Sequence, residues 1–546
     1  MADDVRGTDA VEALIKRVAK ARARQARYQH LMQDAYELAM PDREGWSQKA
    51  EGQDRAQRIY DSTAVVGVPR FANRLQQALF PPYQRWAQLE PTPGYKGVND
   101  LPEQLEETTE IMFREIRASN FDNALNEAAH DLCAGTASIL VENGKQHDPQ
   151  GSTLRFQAFP VDRVALDEGP FGNIEGVFLR QTPRARDLTR LYPELRGKMP
   201  QALAAKERDA PDEEIPLDQC TIYEADKGRW CMKVLDPTGK TILAERYFRT
   251  SPWVIMRWSK APGEVYGRGP LVQAMPDVRT ANKTKELILQ NAALAVAGVW
   301  GARDDGVLNP ATVQIRPGMI IPMETTDGPQ GPSLKRLEIG ANFDVAQIVL
   351  QDLQTAIRQI LFDNPLPPKV ERGITATEII ERLSQFSQDT GAFGRLNSEG
   401  VVPLVMRILD VLDEAGVLPK ALSRVRDLIA RIVPVSPLAQ AQNLADVRNV
   451  VDLLTVCLGL GEIGMQVARA AVNFDRLGQW LADMFKVPAQ LRPDEDELAK
   501  ERAEAEQAAE QEQMLSSPAV AQVAGAVARG AIPQASPKQG GQEQAA

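Results

Sequence analysis

Histidine is scarce in this chain: there are three in 546 residues, His30, His130 and His147. None stands in a zinc-protease spacing or beside paired cysteines, so no sequence pattern offers a zinc ligand set. The four cysteines, Cys133, Cys220, Cys231 and Cys457, are widely separated. That excludes a close-spaced thiolate metal pattern and fits buried thiols in a reducing compartment better than a disulfide framework. The longest apolar run, "AALAVAGVW" at 292–300, falls far below the roughly 18 residues a membrane span requires. The leading "MADDVRGTDA" is polar and acidic and is expected not to be a signal peptide. No nucleophile elbow occurs. Gly239-Lys240-Thr241 imitates the end of a phosphate-binding loop, but the position of its first glycine is Val234, and the surroundings read as a hairpin turn. "PDEDE" at 493–497 lacks the glycine and distal glutamate of a calcium loop. These absences predict a chain that is not an enzyme, with no cofactor and no metal.

Charge excludes a further class. Against 63 Lys and Arg stand 74 Asp and Glu, a formal net charge of −11. A strongly basic protein that grips nucleic acid statically is not expected, because phosphate contacts dominate such affinity. An acidic chain can still handle nucleic acid that must pass rather than stick. The hydrophobic fraction of 43% is that of an ordinary folded protein, and the length predicts two to four domains.

Periodicity then assigns elements. Val11, Leu14, Ile15, Val18, Leu31, Ala35 and Leu38 follow a helical stripe, predicting one helix over 9–40 ended by Pro41. Lys16, Arg17, Lys20, Arg22, Arg24 and Arg27 make it basic, which fits a solvated face or a contact with nucleic acid or an acidic neighbour. A second helix is predicted over 60–80, capped by Asp61 or Ser62, and a third over 103–133. Strands follow at 154–159, 173–180, 221–226, 230–236, 240–248 and 253–258, separated by turn residues such as Lys227-Gly228. The fold class is therefore α+β, mainly helical.

Three later segments carry the most information. The helix near 270–297 has a narrow apolar stripe (Val278, Ala281, Ile288, Ala292, Ala295) and a broad polar face that includes Asn282, Lys283 and Lys285. The helix at 343–362 has an apolar stripe through Ile348, Val349, Leu353 and Ile357, and a face rich in glutamine (Gln347, Gln351, Gln354, Gln359). Such helices can line an aqueous lumen or lie as a surface pair on a monomer. Between them stands an irregular Gly/Pro-rich block. "DNPLPPKVERGI" at 363–374 follows, where Pro365, Pro367 and Pro368 disfavour helix and Thr375 with Glu378 forms a capping-box pattern. A helix from 375 to 415 is expected to bend or break at Gly391, Gly394, Gly400 and Pro403. Helical patterning returns at 439–458 and 473–486. From 491 the chain is highly charged, and its end is low in complexity and expected to be disordered.

Four long stretches in fixed order give the chain a family resemblance: "RIYDSTAVVGVPRFANRLQQALFPPYQRWAQLEP" (58–91), "EVYGRGPLVQAMPDVRTANK" (264–283), "ANFDVAQ" through "ILFDNPLP", and "ERGITATEIIERLSQFSQDTGAFGRLNSEGVVPLVMRIL" (371–409). Through these the chain resembles the head-to-tail connector, or portal, proteins of short-tailed, podovirus-type bacteriophages. The resemblance implies a ring, usually a dodecamer, at one capsid vertex of the virion, assembled in the host cytoplasm. It implies a wing over 1–265, a first stem helix at 266–297 and a clip at 298–342. A second stem helix at 343–362, a channel loop at 363–374, a long bent wing helix at 375–430 and a crown at 431–490 follow, then a charged helix and tail at 491–546. The implied work is to pass double-stranded DNA, without sequence preference, during packaging and ejection. Implied partners are the terminase large subunit, the tail adaptor protein, the major capsid and scaffolding proteins and, in some cases, internal core proteins, with no membrane. Lys283, Lys285, Lys369 and Arg372 are the expected DNA-channel contacts, and Pro365, Pro367 and Pro368 the expected channel-loop residues. The alternative reading is a ring or tail adaptor protein of the virion that handles no DNA. A packaging nuclease or ATPase would need the phosphate-binding loop or acidic metal cluster missing above.

Overall fold

The computed structural model describes residues 2–43, 46, 56–82, 84–92, 101–297, 299–302, 334–337, 343–363, 393–418 and 430–434, with scattered positions between 447 and 481. Two compact units divide the chain, 1–471 and 472–546, and nearly every described residue belongs to the first.

The N-terminal run folds as two helices, α1 (Ala2–Ala26) and α2 (Gln29–Ala39), where periodicity alone predicts one. No glycine or proline marks the break. Its cause is tertiary: the buried Gln25 amide donates to the carbonyls of Val161, Asp162 and Val164, pinning the end of α1. The last turn tightens through a Tyr28 N–H to Gln25 O bond of 2.9 Å, and Tyr28 turns its ring onto Tyr266, 5.0 Å away. The expected helix over 103–133 is likewise two, α4 (Leu101–Arg117) and α5 (Phe121–Ala134). Asn120 interrupts it by bonding both backbone groups of Phe156, at 2.7 and 3.0 Å, as a neighbouring strand would. Helix α3 (Thr63–Leu79) starts where Asp61 accepts the Thr63 N–H.

Strand β1 (Ala87–Pro91) lies outside the sheets the sequence predicts. β2 (Thr136–Asn143), β3 (Leu154–Phe159) and β9 (Trp253–Arg257) form an antiparallel sheet in the order β3-β2-β9. β4 (Val164–Glu168), β5 (Ile174–Gln181), β6 (Leu217–Glu224), β7 (Arg229–Asp236) and β8 (Thr241–Phe248) form a five-stranded meander. β2 was not predicted because "TASILV" is buried on both faces and so does not alternate. Period-two alternation in β5 sorts the meander's faces. Val177 and Leu179 pack with Leu140, Trp253 and Ile255 of the smaller sheet, while Phe178 faces Val18 and Ala21 of α1. Two short helices between β5 and β6, α6 (Leu188–Leu191) and α7 (Gln201–Asp209), cover the far end of the meander with Leu188 and Leu203. All four cysteines are free and buried.

The basic face of α1 meets an acidic neighbour within its own chain. Arg17 bonds Asp167 at 2.7 Å, and Arg22 bonds Asp218 at 2.7 Å. Gly239-Lys240-Thr241 closes the β7–β8 hairpin, with Lys240 at φ +50°, and precedes a strand rather than a helix.

Helix α8 (Pro270–Ala297) leaves the sheet layer at a glycine junction. A Cβ on Gly269 would stand 2.1 Å from the Cys133 carbonyl, and one on Gly267 2.3 Å from the Gly135 carbonyl. The "YGRG" stretch is thus glycine-rich because two backbones touch there, which fixes the root of α8. Strands β10 (Val299–Ala302) and β11 (Leu334–Leu337) pair with each other, and α9 (Phe343–Ile360) packs beside α8. After it, α10 (Phe393–Leu396) and α11 (Val402–Glu414) are joined by one π-helical turn at Asn397–Val401, the bend expected around Gly400 and Pro403. The helix ends at Glu414, followed by Gly416 at φ +70°, and does not continue to 430. Strand β12 (Ala430–Pro434) instead pairs antiparallel with β1, far back in the sequence. Beyond it, positions 450–457 are helical, within the helix expected over 439–458. The expected disordered end lies outside the described residues. The main core joins α2–α5, α8, α9, α11 and one face of the smaller sheet.

Candidate functional site

Helices α8 and α9 are anchored to α3 at three successive points. At the first, Asp61 is 5% exposed and accepts from Gln354 Nε2 at 2.7 Å, with Lys285 Nζ 3.7 Å away. Asn282 secures the same corner: its Oδ1 accepts the Tyr60 and Asp61 N–H groups at 2.7 and 3.0 Å, and its Nδ2 donates to Arg58 O. At the second, Leu361 presses on Gly67, where a Cβ would stand 2.7 Å from its Cδ1. At the third, the buried Asp363 carboxylate is held by Arg70 at 2.9 Å and Arg74 at 3.5 Å. Positions 61, 67 and 70–74 of α3 thus meet 354, 361 and 363 in order, so α3 and α9 run alongside each other in the same direction. Phe362, at φ +55°, directs its ring towards Phe71 and Trp258. A non-glycine residue in that region persists only where its surroundings hold it.

The proline segment therefore departs from a fixed point. Helix α9 ends at Ile360, close to Phe362, as the prolines predict. Pro365, Pro367, Pro368, Lys369, Arg372 and the Thr375 capping box lie outside the described residues. Of the expected DNA contacts, Lys283 is exposed and pairs with Glu286 of its own helix at 2.8 Å. Lys285 leans towards Asp61. The two lie roughly 200° apart around the helix, so one duplex along one face of α8 meets one of them. Asn282 and Gln354, read as lumen-type polar residues, are structural ties. Arg70, Arg74 and Asp363 were not singled out by sequence reasoning. The i, i+4 spacing of the two arginines on α3 was the available signal.

Burial within one chain divides α8 and α9 along their length. Leu271, Met275, Val278 and Ala281 of α8 are buried, and so are Ile357 and Leu361 at the end of α9. Leu287, Leu289, Ile348 and Val349 are 45–59% exposed. A partly exposed apolar belt across two adjacent helices is the pattern of a surface awaiting a neighbour.

The helix after the proline segment is also tied down. Arg257, 3% exposed on β9, forks onto Glu399 of the π turn, with Nε–Oε2 at 2.9 Å and Nη2–Oε1 at 2.7 Å. It also donates to the carbonyls of Val265 and Gly172 and lies 3.3 Å from Glu168. The π turn sets the register that brings Glu399 to Arg257. Further along, the buried Arg407 donates to Val141 O at 3.1 Å. Near it His147 lies 3.4 Å from Glu142. Its pKa is raised by that contact and, secondarily, lowered by burial. Burial opposes the Glu142 charge most strongly, but His147 and Arg246 together hold its pKa below the usual value.

The described residues bring Glu224, Cys231 and Glu245 together. Lys227 and Lys233 already neutralise these carboxylates, and burial pushes the Cys231 thiol up to about 12, which opposes the thiolate a metal needs. No described helix is long and apolar enough to cross a membrane.

Comparison with known proteins gives consistent matches. A family model described as bacteriophage head to tail connecting protein matches residues 11–492. The portal protein of Escherichia phage T7 is 22% identical over 383 residues, covering 67% of this chain and 68% of its own. The portal protein of Enterobacteria phage T3 is 21% identical, covering 66% and 67%. A chain from the virion of a native gene transfer agent particle is 10% identical, with 82% of this chain and 98% of that one covered; its TM-score of 0.34 is too low to compare folds.

Proposed function

We propose a function from one premise: this chain belongs to the bacteriophage head to tail connecting family, whose model spans residues 11–492. It is a portal protein of the podovirus type, forming the ring that joins head to tail in the virion. That ring conducts double-stranded DNA inward during packaging and outward during ejection. In this reading 1–265 is the wing, α8 and α9 the stem, 298–342 the clip, 363–374 the channel loop, 375–430 the returning wing segment and 431–490 the crown. Twelve copies close the ring through one heterologous interface repeated around the axis. The clip docks the terminase motor and later the tail adaptor, and scaffolding and capsid proteins meet the outer wing. A conduit of this kind is structural and hydrolyses neither ATP nor DNA.

The family match carries this reading. The anchored stem supports it, because a loop meant for a lumen needs a root that does not move. Electron microscopy of the purified chain tests it: rings with an open axial channel are expected. A monomer, an open filament or a ring with a closed axis would refute it, the last favouring an adaptor that handles no DNA.

A further inference from the structure

The break between α1 and α2 leaves a cleft of about 320 Å³ lined by Arg24, Arg27, Tyr28, Leu31, Gly263, Glu264 and Arg268. Three guanidiniums face one carboxylate there, on a chain whose net charge is −11. The three differ in what they already hold. Arg268 is paired with Glu264, with Nε–Oε2 at 2.8 Å, and Arg24 stands 3.6 Å from Asp167, which Arg17 holds more closely. Arg27 is exposed and has no ion pair or side-chain hydrogen bond among the described residues. Lys16 and Lys20 share that condition. Lys16, Lys20, Arg24 and Arg27 follow i, i+4, i+4, i+3 spacing, so they form one cationic track about 16 Å long leading into the cleft. The track is distinct from Arg17 and Arg22, whose charges are spent on the sheet beneath. Among these charges lie two partly buried groups with apolar surface: the Tyr28 ring, tilted against Tyr266 at 5.0 Å, and Leu31, which packs against the core.

We propose that this cleft and track dock an acidic amphipathic segment of a partner protein, with its carboxylates on the α1 cations and one apolar side chain on Tyr28 and Leu31. The proposal does not depend on which part of the chain faces the lumen. Duplex DNA fits less well. Its phosphodiester backbone carries no apolar side chain to cover Tyr28 and Leu31.

The test uses the full-length protein and a fluorescent helical peptide with glutamates at i, i+4 spacing and one leucine. Controls are the same peptide with glutamine for glutamate, the peptide with alanine for leucine, and a short labelled DNA duplex. Salt-dependent binding of the first peptide is expected, lost with glutamine and weakened with alanine. Arg27→Glu and Lys20→Glu, both at exposed positions, should each weaken it by about tenfold or more while melting temperature stays unchanged. Absence of peptide binding, equal binding of the glutamine peptide, or no effect of Arg27→Glu overturns the proposal. Duplex binding that depends on Arg27 and Lys20, without peptide binding, also overturns it and assigns the track to phosphate.

Discussion

Removing one partner of the Arg257–Glu399 fork should be costly, and the two partners should differ. Arg257 is the more deeply buried, with a side chain 4% exposed against 22% for Glu399. In Glu399→Ala, the guanidinium stays in the interior with the carbonyls of Val265 and Gly172 and with Glu168, which Lys260 already shares. In Arg257→Met, Glu399 can rehydrate at the surface and Glu168 keeps Lys260. At an effective dielectric near 20 a pair at contact is worth about 4 kcal/mol, and breaking a buried pair from one side costs about 3–5 kcal/mol. Glu399→Ala is therefore expected at the upper end, near ~4 kcal/mol, and Arg257→Met nearer ~2–3 kcal/mol, since part of that cost is relieved by solvent. The double variant Arg257→Met, Glu399→Ala should cost less than the sum by ~1 kcal/mol or more, because neither charge is then stranded. Denaturant titrations of the four proteins at one protomer concentration give these differences. Additive losses, or Arg257→Met worse than Glu399→Ala, would show that the fork does not tie the π turn to β9 as described.

Other predictions concern the stem, the loop and pH. Ile357 is wholly buried within its own chain, so Ile357→Asp should destabilise the protomer and says little about ring contacts. Ile348→Asp, at a position 59% exposed, should leave the melting temperature of the protomer unchanged and abolish rings in size-exclusion chromatography; intact rings would remove α9 from the interface. The raised pKa of His147 contributes stability that is complete below the unfolded value of about 6.5 and is lost as pH rises through the folded pKa. The lowered pKa of Glu142 contributes stability that is present above about 4.3 and is lost as pH falls through its folded pKa. Melting temperature should thus fall as pH rises above about 6.5 in the wild type and fall less in His147→Ala; matching profiles would exclude the pair. Shortening 365–370 should leave rings intact and reduce the DNA retained in heads built with the variant, measured as DNA per particle; full heads that hold their DNA would free the loop of that role.

Sequence alone was enough for the strands that alternate, because a sheet with one solvated face repeats every two residues. β3 was legible to the residue, and β5, β7, β8 and β9 to within one residue at each end, whereas β6 starts four residues before the expected 221–226 and ends two residues short of it. The two long helices α8 and α9 and the stop at Phe362 were equally legible, since a stripe at helical spacing and three prolines are local signals. Absences of motif also needed no coordinates. Tertiary structure decided whatever depended on a distant partner. The helix breaks at Tyr28 and Asn120 come from Gln25 and Asn120 bonding strands in preference to their own helices. β1 exists only because β12 returns to pair with it. The fates of like residues on one face were settled the same way. Asn282, Gln354 and Asp363 became ties because donors and acceptors of α3 and the segment before it stood within reach, whereas Lys283 found only Glu286 of its own helix and remained exposed. Polarity is written in the residue, but the choice between a lumen and an anchor is made by what the fold sets within hydrogen-bonding reach.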